Sequence, residues 1–146
     1  MRALVVRVRS WMCALPLSAV VETMRVLPIR SIPGAPRFVR GLAVVRGAHV
    51  PVVDVAALLG VADGRRGARL VSVRAGARPL ALEVDDVLGI ERLDAAALER
   101  TPPLLSAALP DCVDSLGMLD GQALALIETA RLLPEGAWPS LDGGAA

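Results

Sequence analysis

Few residues in this chain could carry out catalysis. His49 is its single histidine, so a Ser-His-Asp site would have to use it, yet no G-x-S-x-G motif is present. Neither a G-x-G-x-x-G sequence nor a Walker loop occurs. His49 stands two residues after Gly47, between two apolar runs, which is typical of a hairpin turn and not of a metal ligand or general base.

The remaining chemistry-bearing residues also have structural explanations. The adjacent carboxylates of Asp85 and Asp86 could act as general acid and base. However, an apolar run ends there, so we expect one to cap a helix and the other to be solvated. Cys13 and Cys112 lack metal or redox spacing, and we expect both to be buried free thiols. The sequence therefore predicts no enzyme, no catalytic or metal site, and no cofactor.

The element that organises the chain is the segment 38–60, FVRGLAVVRGAHVPVVDVAALLG. Its apolar runs at 42–45 and 50–53 predict two strands, and Gly47 between them can take the positive φ of a tight turn. Asp54 and Gly60 enclose a short apolar segment, as an N-cap and a C-cap do. The segment is therefore predicted to be a β-hairpin followed by one or two helical turns.

This unit recurs later in the chain. Residues 47–60 (GAHVPVVDVAALLG) align with residues 121–134 (GQALALIETARLLP), including the glycine, the acidic residue and the paired leucines. A weaker similarity links 15–21 to 82–88. Two copies are too few for a solenoid, so the repeat predicts two similar halves that pack together.

The other predicted elements are mostly short. Polar, glycine-rich residues 62–68 are predicted to connect the halves of a single domain spanning 1–134, with a frayed tail at 135–146. Short strands and tight turns in two matching sets predict a mainly β fold of two small β-barrels with short helices. Further strands are predicted at 3–8, 11–15, 26–29, 70–73, 80–84, 116–119 and 122–127, and helical segments from Pro16, after Asp85, at 94–100 and at 129–133.

Composition excludes several classes of function. The 146 residues are 54% hydrophobic, with 16 basic and 15 acidic residues and a net charge of +1. This balance argues against binding to nucleic acid or to a membrane surface. Every basic residue is arginine, a bias we attribute to a GC-rich genome. Trp11, Phe38 and Trp138 are too few aromatics for a surface that stacks single-stranded bases.

The N-terminus resembles a signal peptide only superficially. Arg2, Arg7 and Arg9 precede an uncharged run, but arginines already interrupt the apolar residues of the first predicted strand. No small-x-small cleavage site is evident, and no uncharged run approaches the roughly 20 residues of a membrane span. We therefore expect a cytoplasmic protein that does not insert into the membrane.

With the hairpin placed, the sequence resembles the CheW family, the coupling proteins of bacterial chemotaxis arrays. The most specific match is the string P-x-F-V-x-G, R-G and V-P-V-V-D, because its glycines, arginine and proline fall at fixed offsets. The resemblance covers about residues 3–134. The matching motifs are V-V-E (20–22), P-x-F-V-x-G (36–41), R-G (46–47), V-P-V-V-D (50–54), V-D-D-V (84–87), G-M-L-D-G (117–121) and A-R-L-L (130–133).

The resemblance implies a fold of two five-stranded, SH3-like barrels around a shared apolar interface. It also implies a non-enzymatic adaptor located at receptor arrays. Such a protein bridges the cytoplasmic tip of a chemoreceptor to the regulatory domain of a CheA-family histidine kinase, which is itself CheW-like. A near-neutral β protein without a reaction centre is compatible with that role.

The resemblance places the candidate partner-binding residues around the hairpin. Glu22 and Arg46 match an acidic and a basic residue of the family's receptor-facing surface, and we hypothesise that they pair; an ordinary surface salt bridge is the alternative. Gly41 and Gly47 permit either close approach of a partner or simple turn geometry. Val20 fits a partner-facing position or the core.

One departure from the family concerns Val44. The family usually has asparagine two residues before the arginine of the R-G pair, and losing that polar side chain could alter receptor or kinase contact. The alternative prediction is therefore a divergent lattice or assembly protein that binds only one partner in a dedicated, non-flagellar pathway. A ligand-binding barrel would require a large cavity inside one half.

Overall fold

A computed structural model describes residues 1–94, 99–100 and 110–133. In this part of the chain, short strands dominate and the helices have only three or four residues. The strands are β1 Arg2–Val8, β2 Trp11–Pro16, β3 Val20–Arg25, β4 Val39–Val45, β5 Ala48–Asp54, β6 Arg69–Ala75, β7 Arg78–Val84, β8 Asp86–Arg92, β9 Glu99–Arg100, β10 Val113–Leu119 and β11 Gln122–Ile127. The helices are α1 Val55–Leu58 and two 3-10 turns, Leu17–Ala19 and Thr129–Arg131.

The strands form two sheets. One has six strands in the order β8-β1-β2-β11-β10-β9, and the other has five in the order β3-β6-β7-β5-β4. Neighbouring strands run antiparallel except β11 with β2 and β5 with β7, which are parallel. Within the described residues no ladder joins the two ends of either sheet, so these SH3-like units are curled sheets and not fully hydrogen-bonded barrels.

The two repeats of the sequence exchange strands, because the strand that follows the first hairpin of each repeat pairs in the other sheet. The hairpin β1–β2 starts the first repeat, but the strand that follows it, β3, pairs with β6 in the other sheet. Correspondingly, β8 follows the hairpin β6–β7 and pairs back with β1. The two units therefore intertwine, and each buries strands that lie far apart in the sequence.

Most of the inner strands are buried on both faces. Along β1, Leu4 and Val6 belong to a large apolar cluster shared by both sheets, whereas Ala3 and Val5 belong to a cluster confined to the six-stranded sheet. The five-stranded sheet has its own cluster around Val52. Burial on both faces explains why these strands read as continuous apolar runs and not as alternating patterns.

The predicted hairpins are confirmed. The strands β4 and β5 meet at Arg46–Gly47, and β10 and β11 meet at Asp120–Gly121, where all four turn residues have positive φ. The Asp54 carboxylate accepts a hydrogen bond from the Ala57 amide at 3.4 Å and caps α1 as predicted.

Two predicted helices were wrong. Pro16 introduces only a 3-10 turn, after which Val20–Arg25 is strand β3; the residues after Asp85 form strand β8. Both are edge strands of half-buried and exposed residues, so their apolar spacing imitates one face of a helix. The strand predicted at 26–29 is also absent.

All or part of three other predictions lies outside the described residues. Positions 95–98 of the predicted helical segment 94–100 are not described, and 99–100 form strand β9 instead of a helix. The predicted loop 101–110 is described only at Pro110, and the predicted tail 135–146 is not described. Residues 62–68 join α1 to β6, both of which belong to the five-stranded unit.

Candidate partner-binding site

The structure pairs Glu22 with Arg46. The Arg46 guanidinium donates from Nε to Glu22 Oε1 at 3.0 Å and from Nη2 to Glu22 Oε2 at 2.5 Å. This bidentate geometry restricts both side chains more than a single contact would. The Arg46 side chain remains 76% exposed, against 27% for Glu22. An ordered guanidinium is therefore presented to solvent.

Local turn geometry places Arg46. Arg46 has a φ of 50° and Gly47 a φ of 81°, and positive φ at both central residues is what a tight two-residue hairpin requires. A positive φ is uncommon for a residue with a side chain. The turn thus places Arg46 at the tip of the β4–β5 hairpin, whose strands are held by the core.

The pair also spans the sheet. Glu22 lies on β3 and Arg46 at the end of β4, which are the two terminal strands of the five-stranded sheet. Their contact requires the sheet to curl until its first and last strands approach each other, as in an SH3-like unit. Twisting of successive strands supplies that curl.

Glu22 and Arg46 each shift the pKa of the other. The hydrogen bond from Arg46 lowers the pKa of Glu22, and the same contact raises the pKa of Arg46. Because folding lowers the pKa of Glu22, the pair stabilises the folded state at pH values above the unfolded-state pKa. This stabilisation is lost as the pH falls through the folded-state pKa. The pair is therefore intact at neutral pH.

We predict that Arg46→Ala raises the pKa of the Glu22 carboxyl, because its main stabilising hydrogen-bond donor is removed. Carbon-13 NMR titration of the Glu22 side chain would measure the change. Arg74→Ala, which removes an exposed arginine from β6, is the matched control and should leave this pKa unchanged. An unchanged Glu22 pKa in Arg46→Ala would show that the pair does not persist in solution.

The two candidate glycines have different structural roles. Gly41 has a φ of 145°, and a Cβ there would lie 2.0 Å from the backbone oxygen of Arg30. Arg30 and Leu42 exchange two backbone hydrogen bonds of 2.8 Å, so Gly41 permits a close approach of the chain to itself. Gly47 has open space around it, and its positive φ serves the turn. Direct partner contact by either glycine remains a prediction.

The two candidate valines also differ. Val20 is partly buried and packs against the large shared cluster, which favours the core interpretation. Val44 is 56% exposed on β4, two residues before Arg46. It is an apolar surface residue close in sequence to the ordered guanidinium.

The two cysteines and the histidine lie in different environments. Cys13 and Cys112 are buried free thiols as predicted, and burial raises their pKa values to about 12 and about 11. A thiol with so high a pKa is a poor nucleophile at neutral pH. His49 is exposed at the start of β5. Among the described residues, no group of histidine, cysteine and acidic side chains could hold a metal ion.

Sequence reasoning missed an ion cluster with buried carboxylates at the open end of the β4–β5 hairpin. Arg40 Nη2 lies 3.0 Å from Asp54 Oδ2 and 3.2 Å from Glu83 Oε1, and the Glu83 side chain is only 1% exposed. Glu83 also accepts from the Gly67 amide at 2.9 Å. One signal was available: Glu83 interrupts the apolar run LALEV, and a charge in a buried strand needs a partner.

No helix in the described ranges is long and apolar enough to cross a membrane.

Comparison with known proteins agrees with the resemblance seen in the sequence. The profile of the CheW-like domain family matches residues 2–137. A chemotaxis protein CheW from Rhizobium meliloti (strain 1021) is 27% identical over 120 residues, covering 81% of this chain and 77% of the relative.

A solved structure has the same fold. The crystal structure of the scaffolding protein TtCheW from Thermoanaerobacter tengcongensis superposes with a TM-score of 0.81 at 22% identity, over 93% of this chain and 94% of that one. The predicted fold class, mainly β with two SH3-like units, is confirmed.

Proposed function

Because the chain belongs to the CheW-like domain family, we propose that it is a chemotaxis-type adaptor that couples chemoreceptor signalling tips to a CheA-family histidine kinase. It would act in the cytoplasm at receptor arrays, without a cofactor and without catalysing a reaction. Its partners would be the cytoplasmic domain of a chemoreceptor and the kinase regulatory domain.

The Glu22–Arg46 pair is the observation that carries this proposal. A guanidinium has five N–H donors, and Glu22 engages two of its nitrogens. The remaining donors are held in one orientation on an exposed hairpin tip, and the exposed apolar residue Val44 lies two positions earlier in the chain. A rigid charged group next to apolar area suits the docking of a receptor helix, because little side-chain entropy is lost on binding.

We predict that Arg46→Ala reduces binding to a chemoreceptor signalling domain by at least about tenfold, because an interfacial charge-assisted hydrogen bond contributes roughly 1.5–3 kcal/mol. Pull-down or calorimetry with the purified receptor fragment would measure the loss. Glu22→Gln should weaken binding less, since it frees the guanidinium from its orienting partner without removing it.

Arg74→Ala, on β6, serves as the matched control for loss of one exposed arginine. Circular dichroism must show that each variant is folded. Undiminished receptor binding by a folded Arg46→Ala variant would contradict the assignment of this site.

A lattice or assembly protein that binds receptors alone is the second candidate function, and exposed Val44 is the observation that favours it. An apolar residue cannot replace the hydrogen bonds of the family's usual asparagine. Direct binding to the purified kinase regulatory domain separates the two functions: the coupling adaptor binds it, whereas the receptor-only lattice protein does not.

A further inference from the structure

A second charged surface lies away from the Glu22–Arg46 pair and shares no residue with it. It is a cleft of about 320 Å³ lined by Arg7, Arg9, Arg65, Arg66, Ala68 and Asp85, hereafter the arginine cleft. The end of β1, the β1–β2 turn, the segment 62–68 and the β7–β8 junction build it. The cleft brings four arginines together, against the carboxylates of Asp85, which lines it, and of Asp63 and Glu83, which contact its arginines.

The innermost arginine is fully engaged. The Arg9 side chain is only 7% exposed; it pairs with Asp85, donates from Nε to Asp63 Oδ1 at 2.8 Å and from Nη2 to the Arg65 carbonyl at 2.6 Å. The Arg9 amide donates to Asp85 Oδ2 at 2.5 Å. Arg9 thus ties the β1–β2 turn to the segment 62–68, and it uses much of the negative charge nearby.

The charges of the other three arginines are less completely neutralised by carboxylates. Arg66 is 57% exposed, and its nearest carboxylate contact, to Glu83 Oε2, is 3.6 Å long, which exceeds a hydrogen bond. Within the described residues, the Arg7 guanidinium hydrogen-bonds to the neutral amide oxygen of Gln122, at 3.4 Å, and its cross-strand neighbour on β8 is Asp86. Arg65 is 70% exposed and pairs with Asp63, which Arg9 already shares. Several guanidinium donors are therefore open to a further acceptor.

We propose that the arginine cleft binds a carboxylate-rich segment of a partner protein. Guanidinium groups match carboxylates in charge and in their planar, two-donor geometry. Bases of a nucleic acid would need aromatic stacking, and neither Trp11 nor Phe38 lines the cleft. Arg9 ties the β1–β2 turn to the segment 62–68, so the backbone that carries these arginines is cross-linked before a partner binds.

This proposal is tested on the purified chain alone, so its outcome is independent of receptor or kinase binding. Fluorescence anisotropy would compare labelled hexaglutamate with hexaglutamine at low ionic strength. We expect the chain to bind hexaglutamate selectively, and added salt to weaken the binding because exposed charges are screened. Arg66→Gln and, separately, Arg7→Gln should each weaken it about tenfold, the effect of losing one charge-assisted hydrogen bond.

Arg74→Gln, with its exposed position on β6, is the control and should bind hexaglutamate like the unaltered chain. Arg66 and Arg7 are separate probes, so loss of fold in one still leaves the other informative. Equal binding of both peptides, no measurable binding, or equal weakening by Arg74→Gln would overturn the proposal. Tighter binding of an oligonucleotide of the same charge would overturn the choice of partner.

Discussion

Replacing Arg40 with alanine should lower the free energy of unfolding by about 3 kcal/mol, the scale of breaking a buried ion pair by removing one partner. Arg40 contacts both Asp54 and Glu83, whose side chains are 8% and 1% exposed. Without it, two carboxylates would remain in a poorly hydrated place with few donors. Urea denaturation followed by circular dichroism would measure the change.

The loss of stability in Arg40→Ala should come from the buried carboxylates that are left unpaired, and not from the lost arginine itself. The double variant Arg40→Ala, Glu83→Gln should therefore recover part of the stability, because the more deeply buried charge is removed with its partner. Arg74→Ala on β6 should change stability by no more than about 0.5 kcal/mol, as surface substitutions generally do. If Arg40→Ala and Arg74→Ala have similar effects, the cluster does not stabilise the fold.

Gly41→Ala should be similarly damaging, at about 3 kcal/mol, because it combines backbone strain with overpacking. The added Cβ would lie 2.0 Å from the Arg30 oxygen and 2.6 Å from its carbonyl carbon, both backbone atoms with no flexible side chain to move. To accommodate the Cβ, the β-bridge between Arg30 and Leu42 must separate. Thermal or urea unfolding would measure the loss.

Gly47→Ala is the matched control for Gly41→Ala. Gly47 also has positive φ, but nothing lies within 4 Å of the Cβ that would be added. Only the cost of the left-handed conformation applies, about 1 kcal/mol. Equal destabilisation by the two substitutions would mean that the close approach at Gly41 is not rigid.

The two glycine variants also bear on function. Gly41 is explained by the chain's own packing, so a loss of receptor binding in Gly41→Ala would have to be judged against its loss of stability. Gly47→Ala should keep the fold while disturbing the turn that orients Arg46. Reduced receptor binding by a folded Gly47→Ala variant would therefore support the role of the hairpin tip.

Local chemistry explains what could be predicted without the structure. The hairpin at 42–53 and its later copy were predictable because turn residues, strand runs and an acidic cap lie within a few positions of each other. The family resemblance depends on the same motifs. The helix predicted from Pro16 was wrong because β3 is an edge strand, and its pairing with distant β6 outweighed the local apolar spacing.

The ion clusters could not be predicted because their residues lie far apart along the chain. Arg40 and Glu83 are 43 positions apart, and Arg9 and Asp85 are 76 apart. No spacing rule relates such residues, because strand exchange between the two repeats determines which of them meet. Arg46 could be placed at a turn from the sequence, but its contact with Glu22 exists only because the sheet curls.

By itself, the sequence determined the hairpins, the repeat, the buried thiols and the family, since each depends on residue type and short spacing. Tertiary structure alone decided which strand joins which sheet, where Arg9 and Arg40 find their carboxylates, and that Gly41 faces the backbone of Arg30. The physical reason is that local conformation follows from neighbouring residues, whereas burial and ion pairing follow from surfaces that meet only after the chain has folded.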